Sequence, residues 1–318
     1  MSRSVRSTLG LVSLSLLLAA GCGNAGRKES IERTNNGNKA LGAKQFDSAI
    51  LEYKEAVRAY KDNHAAYYYM GESYRMKKSY DKATEAYAEA VRIKPDNVMY
   101  QMMYGVGLYE DAVAKATADE ARRTNKKPTE VQIDYSQINF DQAEQHLQAA
   151  VKLNPDLFIE HAYLGRIYRA SGQPRQAAEE FSKAIVANPR EWAPYVALGE
   201  LYRKWDYPNE AIQVLTQGVD LVPGQVDKAQ LQYVLGMSYT DKQDDAKAIE
   251  AFTAAIDASK DMHVARFMRG QAYMRKGDFK AADKDFEAFA KSAGPAEATN
   301  KSIAQKMRFS IAAKLQGG

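Results

Sequence analysis

Apolar residues recur at helical spacing through most of the chain, and the pattern itself repeats. Residues 65–97 read AAYYYMGESYRMKKSYDKATEAYAEAVRIKPDN, and residues 160–191 read EHAYLGRIYRASGQPRQAAEEFSKAIVANPRE. Each stretch has a Leu/Met-Gly-x-x-Tyr motif, an alanine twelve residues after the glycine, and an aromatic residue four positions later. A proline follows the second apolar run. Because proline cannot continue a helix, this pattern predicts pairs of amphipathic helices separated by breaks.

The glycine and the alanine recur together in seven copies. Successive glycines are 34, 34, 60, 34, 37 and 34 residues apart. Small residues let two antiparallel helices approach to about 8 Å, so we expect each glycine to face the alanine of its own copy. The glycines are Gly37, Gly71, Gly105, Gly165, Gly199, Gly236 and Gly270, and the alanines are Ala49, Ala83, Ala143, Ala177, Ala211, Ala248 and Ala282.

This pattern resembles the tetratricopeptide repeat, a helix–turn–helix motif of about 34 residues. The resemblance covers residues 31–294 and implies an all-α, right-handed α-solenoid of about seven hairpins. Each hairpin would bury its apolar face against its neighbours. The expected repeats are residues 30–63, 64–97, 98–157, 158–191, 192–225, 229–262 and 263–294.

The third repeat contains an insertion, residues 111–136, which accounts for the spacing of 60. We expect its first helix to start near Asn97 and to continue into the insertion, and its second helix to begin near Gln137. The tip of the insertion carries Arg122, Arg123, Lys126 and Lys127. Two interpretations stay open: contact with an anionic partner, or a solvated helix end where positive charge favours the helix dipole.

The C-terminal residues 295–318 follow the last repeat, and most of them are predicted to form one more helix. Ile303, Met307, Ile311 and Leu315 recur every four residues and would share one face. This face would cap the apolar end of the array, because a terminal repeat has no further neighbour to cover it. The alternative is a helix that binds a partner.

The first 21 residues have the features of a secretory signal peptide, with Arg3 and Arg6 before a short apolar run. The run has about twelve residues, whereas a membrane-spanning helix needs about twenty. Its end, LAAGC, resembles the bacterial lipobox and implies cleavage before Cys22 and acylation of that residue. Residues 22–30 would form a polar tether. Gly23, and not an aspartate, follows the cysteine. By the same resemblance, this implies that the protein is anchored in the outer membrane and faces the periplasm. The alternative is an ordinary signal peptide with a stray cysteine.

Composition and charge narrow the possible functions further. The 318 residues are 45% hydrophobic, which excludes disorder for most of the chain, and the 44 basic and 40 acidic residues are too balanced for an electrostatic nucleic-acid binder. One cysteine and four scattered histidines argue against a metal centre. His161 stands where the repeat often has an aromatic residue, so we expect it to pack structurally. Asp244 and Asp245 fit a turn. With no catalytic motif, we expect a protein that is not an enzyme and takes no cofactor, metal or small-molecule substrate.

In the resembling family, the first helix of each repeat lines a concave groove that binds proteins. The positions concerned lie six and three residues before the glycine and one and four after it. The expected binding residues are rich in types that are common at interfaces. They are Tyr68, Glu72, Arg75, Met102, Val106, Tyr109, Arg166, Arg169, Glu200, Arg203, Tyr233, Met237, Phe267, Gln271 and Met274.

The resemblance therefore implies a non-catalytic scaffold for a protein partner in the cell envelope. Lipoproteins of this build resemble two groups of adaptor. One assists assembly of secretins and type IV pili, and the other tethers or regulates cell wall enzymes. A regulatory subunit that switches an enzyme by contact is a third class. The repeat residues are common to all of them and do not discriminate.

Overall fold

The computed structural model describes residues 8–294 and 297–316, with side chains from residue 25 to 294 and from 297 to 314. These residues form fifteen α-helices and no strand, which confirms the all-α fold. The helices up to Pro155 are α1 (Thr8–Gly42), α2 (Phe46–Ala59), α3 (His64–Met76), α4 (Tyr80–Ile93), α5 (Val98–Thr124) and α6 (Asp141–Leu153). Those after Pro155 are α7 (Phe158–Ala170), α8 (Pro174–Ala187), α9 (Trp192–Lys204), α10 (Pro208–Leu221), α11 (Gln225–Asp241), α12 (Asp245–Ala258), α13 (His263–Lys276), α14 (Phe279–Ser292) and α15 (Ala298–Gln316).

The chain divides into two compact parts, one up to Pro155 and one from Asp156 onward. Within each part, every helix packs against the next one along the chain. This sequential packing is typical of a repeat array, in which local contacts carry the stability.

Polar side chains and prolines set the ends of many helices. Asn63 and Asn97 cap α3 and α5, and their side chains accept hydrogen bonds from Ala66 N and Tyr100 N. Asp244, expected at a turn, caps α12 by accepting from Lys247 N. These contacts satisfy amide groups that a helix leaves unpaired at its start. At the other ends, four prolines each lie two residues beyond a helix: Pro95, Pro155, Pro189 and Pro223.

The turn inside the hairpins repeats with a left-handed backbone conformation. Gly172 and Gly277 have φ angles of +70° and +81°, which glycine adopts without strain. Residues with side chains take the same place in four other repeats at φ values between 58° and 63°. They are Lys44, Lys78, Asp206 and Gln243. The turn geometry is therefore imposed by the packing of the two helices, and the sequence does not always supply glycine for it.

The atoms nearest to each repeat glycine across its hairpin belong to a large side chain; at Gly105 the Ala143 carbonyl oxygen is also close, 3.1 Å from an added Cβ. All seven alanines are buried. A Cβ atom added at Gly165 would lie 2.6 Å from Cε1 of Phe181, and one added at Gly199 would lie 2.8 Å from Cγ of Leu215. The same holds for the other repeat glycines, each of which lies against the large residue four positions after the alanine. The missing side chain therefore makes room for a ring or a leucine between the helices.

Helix α1 extends further towards the N terminus than the expected first repeat. Residues 22–30, expected to form a tether, belong to α1. Ser30 is buried, and its hydroxyl donates to the Ala56 carbonyl at 2.7 Å and accepts from Asn63 Nδ2 at 2.7 Å. The hairpin thus begins before Ile31. The side chain of Cys22 lies outside the described residues.

The insertion is a helical extension followed by an irregular segment. Helix α5 runs to Thr124, and α6 begins at Asp141, four residues later than expected. The delay has a local cause, because Asp134 accepts from Ser136 N in a short 3-10 turn over residues 135–137. At the tip, Arg122 pairs with Asp119 and Arg123 with Glu120. These arginines are therefore partly neutralised, as in a solvated helix end.

Helix α15 covers the end of the last repeat. Ala304 and Ile311 are buried, and they pack in a cluster with Phe286 and Phe289 of α14. Ile303 and Met307 are half-buried beside them. The contact is the one expected of a capping helix, although Leu315, assigned to the same face, has a side chain outside the described residues.

Candidate functional site

In the part up to Pro155, the expected binding residues form an internal polar network. The Tyr87 hydroxyl donates to Glu72. Arg75 lies 3.5 Å from Glu72 and 3.6 Å from Glu110, so it joins α3 to α5. Burial by itself would lower the pKa of Arg75, but Glu72 and Glu110 outweigh it and the pKa is raised. Arg75 is thus a structural cation with two carboxylate neighbours.

The other members in this part mostly pack against their neighbours. Met102 and Val106 are buried, with 5% and 2% of their surface exposed, so they do not form a free binding surface. Tyr109 stacks on Phe140, the residue before α6, at 4.8 Å between ring centroids. Tyr68 lies 5.2 Å from the Tyr100 ring, and burial raises its pKa. These residues were expected to line an open groove. In this part of the chain, however, Met102 and Val106 are buried, and the rings of Tyr68 and Tyr109 contact other aromatic rings.

In the part from Asp156 onward, ion pairs connect successive repeats. Arg169 of α7 lies 3.2 Å from Glu200 of α9. Arg203 of α9 holds Asp241 of α11 through two bonds, at 2.6 and 3.2 Å, and also contacts the Met237 sulfur. Four of the expected residues, Arg169, Glu200, Arg203 and Met237, therefore make contacts between the first helices of successive repeats.

The remaining expected residues in this part differ in exposure. Phe267 is buried against Phe286 and Phe289, so it belongs to the core and not to a binding surface. Tyr233 is half-buried beside Phe252, and burial raises its pKa. Three others are also half-buried at this surface: Met237, Gln271 and Met274.

Helices α7 and α9 enclose a depression of about 420 Å³, which we call the α7–α9 depression. Arg166 lies in it with its guanidinium 4.9 Å from the Tyr163 ring, and it forms no ion pair with any residue whose side chain the structure describes. Phe158, Ile159 and Trp192 contribute the apolar wall. The other lining residues are Ala162, Tyr163, Arg169, Phe181, Glu191, Ala193, Pro194, Val196, Ala197 and Glu200.

Only part of this depression was expected from the sequence. Arg166, Arg169 and Glu200 were expected binding residues, whereas Phe158 and Trp192 were not. Both aromatic residues are the first of their helices, seven positions before the repeat glycine. The signal was present in the sequence as an aromatic residue at the same position of two successive repeats.

Three histidines have polar partners in the structure: His64, His146 and His161. His161 is buried, and its Nδ1 lies 2.6 Å from Glu180 Oε2, which agrees with the packing role expected for it. Among the described residues, no three potential metal ligands of the His, Cys, Asp or Glu type come together. None of the described helices is both long enough and apolar enough to cross a bilayer.

Two models of the tetratricopeptide repeat match the chain. One covers residues 34–98 and 164–226, and the other covers residues 229–262 and 264–293. Together they account for more than half of the sequence. The chain belongs to the tetratricopeptide-repeat family. Arrays of this repeat are scaffolds suited to protein–protein interaction, and they are typically not catalytic.

Individual relatives add little about a specific role. The antiviral innate immune response effector IFIT1 of Macaca fascicularis is 25% identical over 156 residues, which are 48% of this chain and 29% of that protein. The human protein of the same name matches to the same extent. This chain therefore spans less than a third of the curated relatives that it matches.

Solved structures show the same fold. A tetratricopeptide repeat protein from Parabacteroides merdae has a TM-score of 0.57 at 13% identity, covering 89% of this chain and 99% of that chain. A chain of the APC/C hetero-tetramer Cut9–Hcn1 also has a TM-score of 0.57 at 13% identity, covering 84% of this chain and 48% of that chain. At this level of identity, the likeness concerns the fold alone.

Proposed function

We propose that the protein is a non-catalytic scaffold that binds a segment of a protein partner in the α7–α9 depression. The observation that supports this choice is Arg166, a cation beside Phe158 and Trp192. Arginine and tryptophan are the types most enriched among residues that dominate binding energy. The neighbouring Arg169 and Arg203 already hold carboxylates. The partner segment is therefore extended or helical, with an apolar side chain and a carboxylate that reaches Arg166.

Charge reversal at Arg166 tests this proposal. A photo-crosslinking residue at Val196, inside the depression, is expected to capture the partner in cells, and Arg166→Glu is expected to reduce that capture at least tenfold. The magnitude follows from a lost charge-assisted contact of about 1.5–3 kcal/mol plus repulsion. Capture is measured by blotting for the crosslinked species, whose mass then identifies the partner.

Two matched controls accompany this measurement. Arg175→Glu makes the same charge change at an exposed position of α8 outside the depression and is expected to preserve capture. A photo-crosslinker at Val186, which is 82% exposed and also outside the depression, is expected to give a different pattern. If Arg166→Glu and Arg175→Glu behave alike, the depression is not the binding site.

The proposal places the scaffold on the periplasmic face of the outer membrane, anchored by lipid on Cys22. The lipobox resemblance and Gly23 support it. Because a helix rises about 1.5 Å per residue, the helical course of residues 22–30 puts the first repeat close to the anchor. The identity of the partner decides between two adaptor roles: a secretin or pilus component indicates pilotin-like assembly, and a cell wall enzyme indicates tethering or regulation.

Replacing Cys22 by serine is expected to move the protein from the membrane fraction to the soluble fraction, because acyl chains contribute about 0.8 kcal/mol per buried CH₂. Fractionation followed by immunoblotting measures the change. Gly23→Asp is the matched variant, since it keeps the cysteine and is expected to keep the protein on membranes while moving it from the outer to the inner membrane. Membrane association that survives Cys22→Ser would contradict the anchor.

A further inference from the structure

A second cavity lies at one edge of the N-terminal repeats, and no function above uses it. It has a volume of about 670 Å³ and lies between α1, the turn from α2 to α3, and the end of α4. We call it the α1–α4 cavity. Its lining residues are Arg27, Ile31, Tyr60, Asp62, Asn63, His64, Ala65, Arg92, Ile93 and Lys94.

The lining carries more positive than negative charge. It contains three cationic residues, Arg27, Arg92 and Lys94, and one carboxylate, Asp62. Arg92 is partly neutralised by Glu89, which accepts from its Nε at 2.9 Å. Neither Arg27 nor Lys94 has an ion pair with any residue whose side chain is described. The guanidinium of Arg27 lies 5.8 Å from the Tyr60 ring, which positions the charge without cancelling it.

His64, another lining residue, is close enough to Lys94 for the ammonium charge to act on it. Burial lowers the pKa of this histidine, and the charge of Lys94 lowers it further. His64 itself is held by the Tyr100 hydroxyl, 2.7 Å from its Nδ1.

The cavity also has an apolar side. Ile31 is 54% exposed although it belongs to a packed helix. Ile93 and Tyr60 line the same space. A ligand that suits these walls combines an anionic group for the cations with an apolar portion for the isoleucines. A free inorganic anion uses only the first of these features, whereas a phospholipid uses both, with its phosphate for the cations and the first carbons of an acyl chain for the isoleucines.

The position of the cavity along α1 favours a membrane lipid. Arg27 follows Cys22 by five residues on the same helix, which corresponds to about 8 Å along the axis. This step rests on the anchor proposed above, because an acylated Cys22 would hold this edge against the bilayer. Cationic side chains near an anionic surface add to membrane affinity, and the effect falls off within a Debye length.

We propose that the α1–α4 cavity binds the phosphate head group of an anionic phospholipid, with Arg27 and Lys94 as the binding cations and Ile31 as the apolar contact. The bound head group orients the first repeat on the membrane. The acyl anchor supplies attachment, and the cavity supplies a fixed orientation.

The test uses the mature chain, residues 22–318, with Cys22→Ser so that no acyl chain contributes. Flotation with vesicles of phosphatidylcholine containing about 30% phosphatidylglycerol measures the dissociation constant. We expect binding to these vesicles, at least tenfold weaker binding to pure phosphatidylcholine, and weakening with added salt. Arg27→Glu combined with Lys94→Glu is expected to weaken binding at least tenfold, and Arg27→Gln with Lys94→Gln by a smaller factor.

The matched control is Lys39→Glu combined with Lys44→Glu. It makes the same change in net charge at exposed positions near the other end of α1. It is expected to keep most of the affinity. Equal losses in both double variants would overturn the cavity as the site, as would equal binding to both kinds of vesicle. If the protein binds inorganic phosphate, and Arg27→Glu with Lys94→Glu abolishes that binding, but the protein shows no preference for anionic vesicles, the cavity is a site for small phosphates and the lipid assignment is wrong.

The outcome is separable from the function proposed earlier. The vesicle measurement contains neither the acyl chain nor a protein partner, so it does not depend on partner capture at Val196. Release of the Cys22→Ser protein from cell membranes would show that the cavity alone is too weak for attachment. It would leave the measured preference for anionic vesicles intact.

Discussion

Replacing Asp285 by alanine is expected to lower the free energy of unfolding by about 3–5 kcal/mol, because it leaves a buried guanidinium without its partner. Arg269 of α13 donates to both oxygens of Asp285 of α14 at 2.7 Å, and its third nitrogen donates to Thr253 of α12 at 2.9 Å. Asp285 is buried, and Arg269 is nearly so. Urea unfolding followed by circular dichroism measures the change.

The interpretation requires two comparisons. Arg269→Met combined with Asp285→Leu removes both charges, and it is expected to recover most of the lost stability, since buried ion pairs often contribute little net free energy. Asp257→Ala removes the acid of an exposed pair with Lys260, and its expected effect is much smaller because solvent screens exposed ion pairs. If Asp285→Ala is no more harmful than Asp257→Ala, Arg269 is solvated well enough to need no partner.

This buried pair has counterparts in other repeats, which sequence analysis missed. The position three residues after the repeat alanine holds Glu52, His146, Glu180 and Asp285 in four repeats. Each bonds a polar residue on the first helix of its own hairpin. The pairs are Arg33–Glu52, Gln101–His146, His161–Glu180 and Arg269–Asp285. The first three use the residue four before the glycine, whereas Arg269 directly precedes it.

The sequence contained a usable signal for these pairs. The other repeats have Ala86, Val214 or Ala251 at this position, three residues after the repeat alanine, so a polar residue there departs from the apolar pattern. A buried polar group needs a partner. An alignment of the seven repeats would therefore predict a polar partner on the first helix of each hairpin that has a polar residue three positions after the alanine. The small and aromatic residues that define the repeat carry no information on these polar pairs.

The hairpins were predictable because their glycine, alanine and aromatic residues lie close together along the chain. The binding surface was not predictable, because it depends on how successive repeats pack. Whether Arg203 is free or paired depends on how far α11 is rotated relative to α9, which brings Asp241 to it. That rotation is a property of packing between repeats and has no fixed sequence signature. Similarly, Met102 and Val106 are buried, and Val106 holds the repeat position at which Arg166 stays partly exposed.

Gly236→Ala is expected to destabilise the protein by about 1–3 kcal/mol, although alanine is the better helix former by up to about 1 kcal/mol. A methyl group at this position would lie 2.6 Å from two carbons of the Phe252 ring. The ring is fully buried, so it cannot move aside without disturbing α11 and α12 together. The loss of packing therefore outweighs the gain in helix propensity.

Gly42→Ala makes the same chemical change in α1 with no atom within 4 Å of the new methyl, and we expect a neutral or slightly stabilising effect. Thermal unfolding of both variants gives the comparison. Equal melting temperatures would mean that the helices of the sixth repeat separate freely, and the tight contact between glycine and ring would then not be what fixes their distance.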